Sequence, residues 1–221
     1  RCNTMKRFLM LMLVIFVGCG ESAEETKKRI DQETKKQVEQ ETLKRIQEEL
    51  KSSGTITDED AEYLSQRYNQ ELYLISDLTT ITDKQAEILS KVKSIRLNGL
   101  TSLTDEQAES LSDVNGLYLD GLTSINDQQA TSLSNVDILR LSGLTTITDK
   151  QVAILSKVKT LDLSGLTSLT DKQAKDLSKV QWLELRGMES ITEPQAESLS
   201  KVKDLYIPTS CFELVNQYKK T

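Results

Sequence analysis

The sequence predicts an α/β solenoid of about seven strand–helix units, preceded by a long charged helix. Three observations carry this reading. Leu89, Leu111, Leu133, Leu155, Leu177 and Leu199 stand 22 residues apart. Inside each interval the apolar spacing changes, from strand-like alternation at Leu161 and Leu163 to helical intervals of three at Ala174, Leu177 and Val180. Upstream, residues 21–52 are rich in Glu, Lys, Arg and Gln and carry too few apolar residues to build a core.

Composition narrows the classes of function. The chain has 221 residues, a net charge of −6 and no histidine. That length accommodates one domain or one repeat array. Without histidine, the commonest general base and metal ligand is missing. Aromatic residues make up 5%, too few for a stacking platform of any size. The negative balance argues against nucleic-acid binding, which needs clustered Lys and Arg.

At the N-terminus, Met5 opens "MKRFLMLMLVIFVGC", a basic start followed by an apolar run from Phe8 to Val17. A membrane-spanning helix takes ~20 apolar residues, so this run is short for one and has the layout of a secretory signal. Gly18 and Cys19 give it an end that resembles a bacterial lipoprotein signal, although Phe16 stands where that pattern usually has Leu. The resemblance implies removal of residues 1–18, with Arg1–Thr4 lying upstream of the start, and export to the bacterial cell envelope. It also implies a membrane anchor through lipid on Cys19. Cys211 is then a lone thiol, expected as a small buried residue rather than a nucleophile.

Residues 19–53 read as a stalk. Ile30, Val38 and Ile46 recur every eight residues, which turns them ~80° apart on a helix, so they form no single stripe and no coiled-coil seam. Glu24 with Lys28, Glu25 with Arg29, Lys35 with Glu39 and Glu41 with Arg45 are helical neighbours of opposite charge. The spacing predicts a solvated single helix ~40 Å long, ended by Gly54, with a disordered spacer as the alternative.

Residues 54–210 hold the repeat, "LxLxGLTSLTDxQAxxLSxV", in seven copies aligned on Ile56, Ile81, Leu103, Ile125, Ile147, Leu169 and Ile191. The first copy is longer by three residues and lacks the glycine, as a terminal capping unit would. One strand and one short helix cannot bury an apolar face alone, whereas stacked units share one continuous core. Gly99, Gly121, Gly143, Gly165 and Gly187 serve either an unusual backbone conformation or a close approach. Thr82 with Gln85, Thr104 with Gln107, Thr148 with Gln151 and Thr170 with Gln173 fit the helix capping box, and Asn126 with Gln129 is a variant. Residues 211–221 are expected to cap the array.

The unit "LDLSGLTSLTDKQAKDL" resembles leucine-rich repeats, especially the cysteine-containing type with its LxLxxCxxITDxxLxxL pattern. The resemblance covers about residues 55–207 and implies a leucine-rich-repeat solenoid that binds other molecules on a concave strand face. Leu100, Leu122, Leu144, Leu166 and Met188 stand where that family has Cys or Asn, so an apolar ladder replaces a polar one.

On the strand face the outward column is Tyr73, Arg96, Tyr118, Arg140, Asp162, Glu184 and Tyr206. It varies from unit to unit while the core positions repeat. Arg96, Tyr118 and Arg140 are candidate binding residues because Arg and Tyr are favoured at interface hot spots. Trp182, the only tryptophan, is the fourth, either as an exposed anchor or part-covered by the C-terminal segment. Asp162 and Glu184 are neighbouring carboxylates, but glycosidase pairs also need a cleft. The aspartates at Asp83, Asp105, Asp127, Asp149 and Asp171 suit helix starts better than a calcium ladder. The reading is a non-enzymatic lipoprotein without cofactor that binds a protein partner and no nucleic acid; the alternative is a structural spacer of the envelope or wall.

Overall fold

The computed structural model of the chain describes residues 22–219. The signal segment 1–18 and the lipidation expected at Cys19 lie outside the described residues. The chain divides into two units, Arg1–Glu48 and Glu49–Thr221.

Helix α1 runs Ala23–Ser53. Lys28 pairs with Glu24 at 3.3 Å, as the charge spacing predicts, and Lys44 pairs with Glu48 at 3.8 Å. The expectation of a wholly solvated helix holds at Val38 and fails at Ile46 and Leu50, which are buried. Gly54 ends the helix with φ +66°, the left-handed conformation glycine tolerates best. Its N–H donates to Leu50 O at 2.8 Å, and its carbonyl accepts from Thr79 N at 2.8 Å. Among the described residues no helix is long and apolar enough to cross a membrane.

In the second unit helices and strands alternate. They are α2 (Asp58–Arg67), β1 (Glu71–Leu72), α3 (Asp83–Leu89), β2 (Ser94–Arg96), α4 (Asp105–Ser110), β3 (Gly116–Tyr118), α5 (Asp127–Leu133) and β4 (Ile138–Arg140). There follow α6 (Asp149–Leu155), β5 (Thr160–Asp162), α7 (Asp171–Leu177), β6 (Trp182–Glu184), α8 (Glu193–Leu199), β7 (Asp204–Tyr206) and α9 (Thr209–Lys219). The strands form one parallel sheet in sequence order, β1 to β7. Ile95, Leu117, Leu139, Leu161, Leu183 and Leu205 lie side by side across it, so the 22-residue sequence period is the strand register.

Every helix from α2 to α8 starts with a closed capping box, including Thr57 with Asp60 and Thr192 with Gln195. The glutamines do more than cap. Gln151 Oε1 accepts from Thr148 N at 3.0 Å, while its Nε2 donates 2.8 Å to Ile125 O of the preceding unit. The same cross-unit bond runs from Gln85, Gln107, Gln129, Gln173 and Gln195, to Ile56, Ile81, Leu103, Ile147 and Leu169 respectively. A buried polar ladder therefore exists on the helix side, where each amide satisfies backbone groups of two units. On the turn side the expected apolar ladder forms: Leu100, Leu122, Leu144, Leu166 and Met188 are buried.

The helix-start aspartates have protein partners. Asp149 accepts from Thr170 Oγ1 at 3.2 Å and pairs with Lys172 at 3.5 Å, and Asp127 pairs with Lys150 at 2.8 Å. Each contact joins consecutive units. At Gly143 the reason for glycine is close approach: φ is not positive, and a Cβ would strike Asp120 O and lie 2.6 Å from Leu122 O. Burial supplies the main driving force, at ~1.5–3 kcal/mol for each large apolar side chain fully removed from water. Cys211 is buried in α9, as expected of a small apolar residue.

Candidate binding face on the strand side

The middle residue of each strand faces the core, which turns the residues on either side of it to the opposite face. Arg96, Tyr118, Arg140, Asp162, Glu184 and Tyr206 are therefore consecutive rungs of one column. Tyr73 follows β1 and joins the column at its N-terminal end.

The first four members touch in series. The Tyr73 and Tyr118 rings meet edge to face, with centroids 6.0 Å apart and planes at 78°. The guanidinium carbon of Arg96 lies 4.1 Å from the Tyr73 centroid and 5.1 Å from that of Tyr118. Arg140 approaches Tyr118 from the far side, at 5.8 Å. These are cation–π contacts, worth ~0.5–1 kcal/mol each at exposed sites and more when dry. Burial first, then the neighbouring Tyr118 and Glu71, push the Tyr73 phenol above its usual range, so it stays neutral beside Arg96.

The two arginines differ in their partners. Arg140 Nη2 lies 3.0 Å from Asp162 Oδ2, and its Nε lies 3.6 Å from Asp120 Oδ1. Asp120 also accepts from Ser142 Oγ at 2.6 Å, and Asp162 from Ser164 N at 2.9 Å. Arg96 has no carboxylate partner and no hydrogen bond among the described residues; its Nε, like that of Arg140, is covered without a hydrogen-bond acceptor.

Toward the C-terminal end a second patch forms. Trp182 stacks on Tyr206 at 4.8 Å with planes 24° apart, and both residues stay 37% exposed. Arg186 lies 5.1 Å from the Tyr206 centroid and its Nε donates 2.7 Å to Glu184 Oε2. Trp182 Nε1 donates to the other Glu184 oxygen at 3.4 Å. Burial pushes the Glu184 carboxyl up. Those two hydrogen bonds, with the charges of Arg186 and Arg140, outweigh it and leave the carboxyl below its ordinary value.

Of the four sequence candidates, Arg96, Tyr118 and Arg140 are brought together, while Trp182 stands two strands from Arg140 and four from Arg96, ~10 and ~19 Å at ~4.8 Å per strand. Trp182 packs on β7 and is exposed. Asp162 lies on the outward face with the rest of the column, but its Arg140 and Ser164 bonds leave it only 3% exposed. Asp120 was not singled out in sequence as a partner of Arg140. Its only signal is that it stands two residues past Tyr118 and so on the same face of the extended chain.

The seven-unit parallel strand–helix stack is an α/β repeat solenoid. No family model matches the sequence, and no curated protein matches it. The solved structures to which the chain is similar include the following two. One is a chain of the Toll–Spatzle complex of Drosophila, at 15% identity and a TM-score of 0.44, with 62% of this chain and 20% of that chain covered. The other is an internalin from Listeria monocytogenes, at 13% identity and a TM-score of 0.43, with 69% of this chain and 56% of that chain covered. The chain thus spans about a fifth and about half of their respective lengths.

Proposed function

We propose that this chain is an exported envelope lipoprotein, anchored through lipid on Cys19, whose solenoid holds a protein partner on the strand face. One observation supports this most: the ordered series Tyr73, Arg96, Tyr118 and Arg140. Arg96, Tyr118 and Arg140 share a register across adjacent strands, Tyr73 joins them just after β1, and the series alternates Tyr and Arg only here, while the buried rungs behind it repeat along the whole sheet. Rings and guanidinium groups already packed on one another lose little freedom when a partner docks. Arg, Tyr and Trp are also the side chains most enriched at hot spots.

The test is a photocrosslinking amino acid placed at Tyr118 on the strand side and, separately, at Lys150 on the helix side, in intact cells. A protein adduct at position 118 and none at 150 is the expected result. Matching adducts at the two positions, or none at 118, would overturn the reading. The spacer alternative draws its support from the ion pairs of Arg140 and Glu184, whose charges are met within the chain.

A further inference from the structure

We propose that Arg96 anchors the partner and that it takes one carboxylate, an aspartate or glutamate side chain of the partner protein; this rests on the strand-face reading above. The face itself shows how its arginines meet a carboxylate. Arg140 is followed in register on the next strand by Asp162, and its Nη2 reaches that carboxylate at 3.0 Å. Arg96 is followed in register by Tyr118. Where Arg140 finds an acid, Arg96 finds a ring, and its charge is left without an anionic partner among the described residues.

The surroundings ready Arg96 for such a group. Two tyrosines cover it, with centroids 4.1 and 5.1 Å from the guanidinium carbon. They pack against its planar fork and leave the residue half-buried; that fork matches a carboxylate with two parallel hydrogen bonds. Little side-chain entropy then remains to be lost on binding.

Charge complementarity limits the occupant to a single anionic group. Asp120, Asp162, Glu184 and Asp204 share the face, and the whole chain carries −6. A polyanion laid along the column would meet these carboxylates, and like charges in close contact cost enough to reject a partner. An isolated acid placed over Arg96 avoids them.

Selection from a phage-displayed library of random linear peptides, with the purified full chain as target, tests this. The enriched peptides are expected to share one Asp or Glu. Changing that residue to Asn or Gln should weaken binding to the parent chain roughly tenfold or more, the size expected of a charge-assisted hydrogen bond. The same change should make no difference to binding by Arg96→Gln, while Arg140→Gln should keep the full dependence on the acid. Arg96→Lys, which keeps the charge and loses the fork, should fall between parent and Arg96→Gln, with every form measured well below its own melting temperature because Arg96 and Arg140 also pack the face.

Peptides that bind parent and Arg96→Gln alike, yet are lost with Tyr118→Ala and Trp182→Ala, would overturn the role of Arg96 and leave the strand-face reading standing. Peptides indifferent to all these changes, or no enrichment at all, would count against both. Capture of the chain by heparin that depends on Arg96, with no acid shared among the peptides, would replace the carboxylate by a polyanion.

Discussion

The Gln151 side chain bonds two consecutive units at once, accepting from Thr148 N and donating to Ile125 O at 2.8 Å. Gln151→Ala should therefore cost more than the loss of an ordinary cap. It leaves a backbone donor and a backbone acceptor unpaired in a part-buried site, each at up to the ~1–3 kcal/mol of a fully buried group. Thr148→Ala removes only the cap, at ~0.5–2 kcal/mol. Urea denaturation should place the Gln151→Ala midpoint below that of Thr148→Ala. The reverse order would mean that the cross-unit bond adds nothing.

Two glycines separate close approach from mere smallness. A Cβ at Gly143 would strike backbone, Asp120 O and Leu122 O, which cannot move without parting two units. A Cβ at Gly116 would meet the Ser94 hydroxyl at 2.5 Å, and that side chain can rotate away. Gly143→Ala should destabilise the solenoid by ~1–3 kcal/mol, the range for overpacking, and Gly116→Ala by under ~1. Thermal melts of the two variants check this.

The contrast between these glycines marks how far the sequence was legible. The 22-residue period gave the strand register from β2 to β7 directly, because identical units can stack in one register only. Caps were legible for the same reason: Thr148 and Gln151 sit three residues apart in one chain segment. What stayed hidden depends on the distance between stacked units. The reach of Gln151 Nε2 to Ile125, and the choice between conformation and closeness at Gly143, are facts of neighbouring units. On the strand face, the sequence placed Arg140 beside Tyr118 but could not show that Asp120 and Asp162 already hold its charge.

Glu184 and Trp182 provide an optical report on the face. The Glu184 carboxyl lies below its ordinary value of 4.5, and the only tryptophan donates to it. A carboxyl depressed in the folded state contributes stability above its unfolded value, and that contribution is lost as pH falls through the folded one. Tryptophan fluorescence should therefore change with a midpoint under pH 4.5. In Arg186→Gln the midpoint should rise, because burial persists while the main opposing bond is gone. A midpoint indifferent to Arg186 would contradict the pairing.

Cys19→Ser should release the protein from the membrane, since the lipid on Cys19 is the anchor proposed. Fractionation after a carbonate wash reads the outcome. Variant and parent retained equally would remove the lipid from the account.

The central claim is that the strand face holds a protein partner, and one comparison tests it most directly. Parent chain, the triple variant Arg96→Ala/Tyr118→Ala/Trp182→Ala and the helix-side control Lys150→Ala are used to recover bound proteins from envelopes under identical conditions. Surface truncations of this kind usually shift stability by ~0.5 kcal/mol or less, so all three should melt alike apart from a modest loss of ring packing in the triple variant. Hot-spot truncation costs ~2 kcal/mol or more, about thirtyfold in affinity. The account predicts a protein recovered with parent and Lys150→Ala and lost with the folded triple variant; the same proteins recovered with all three would contradict it.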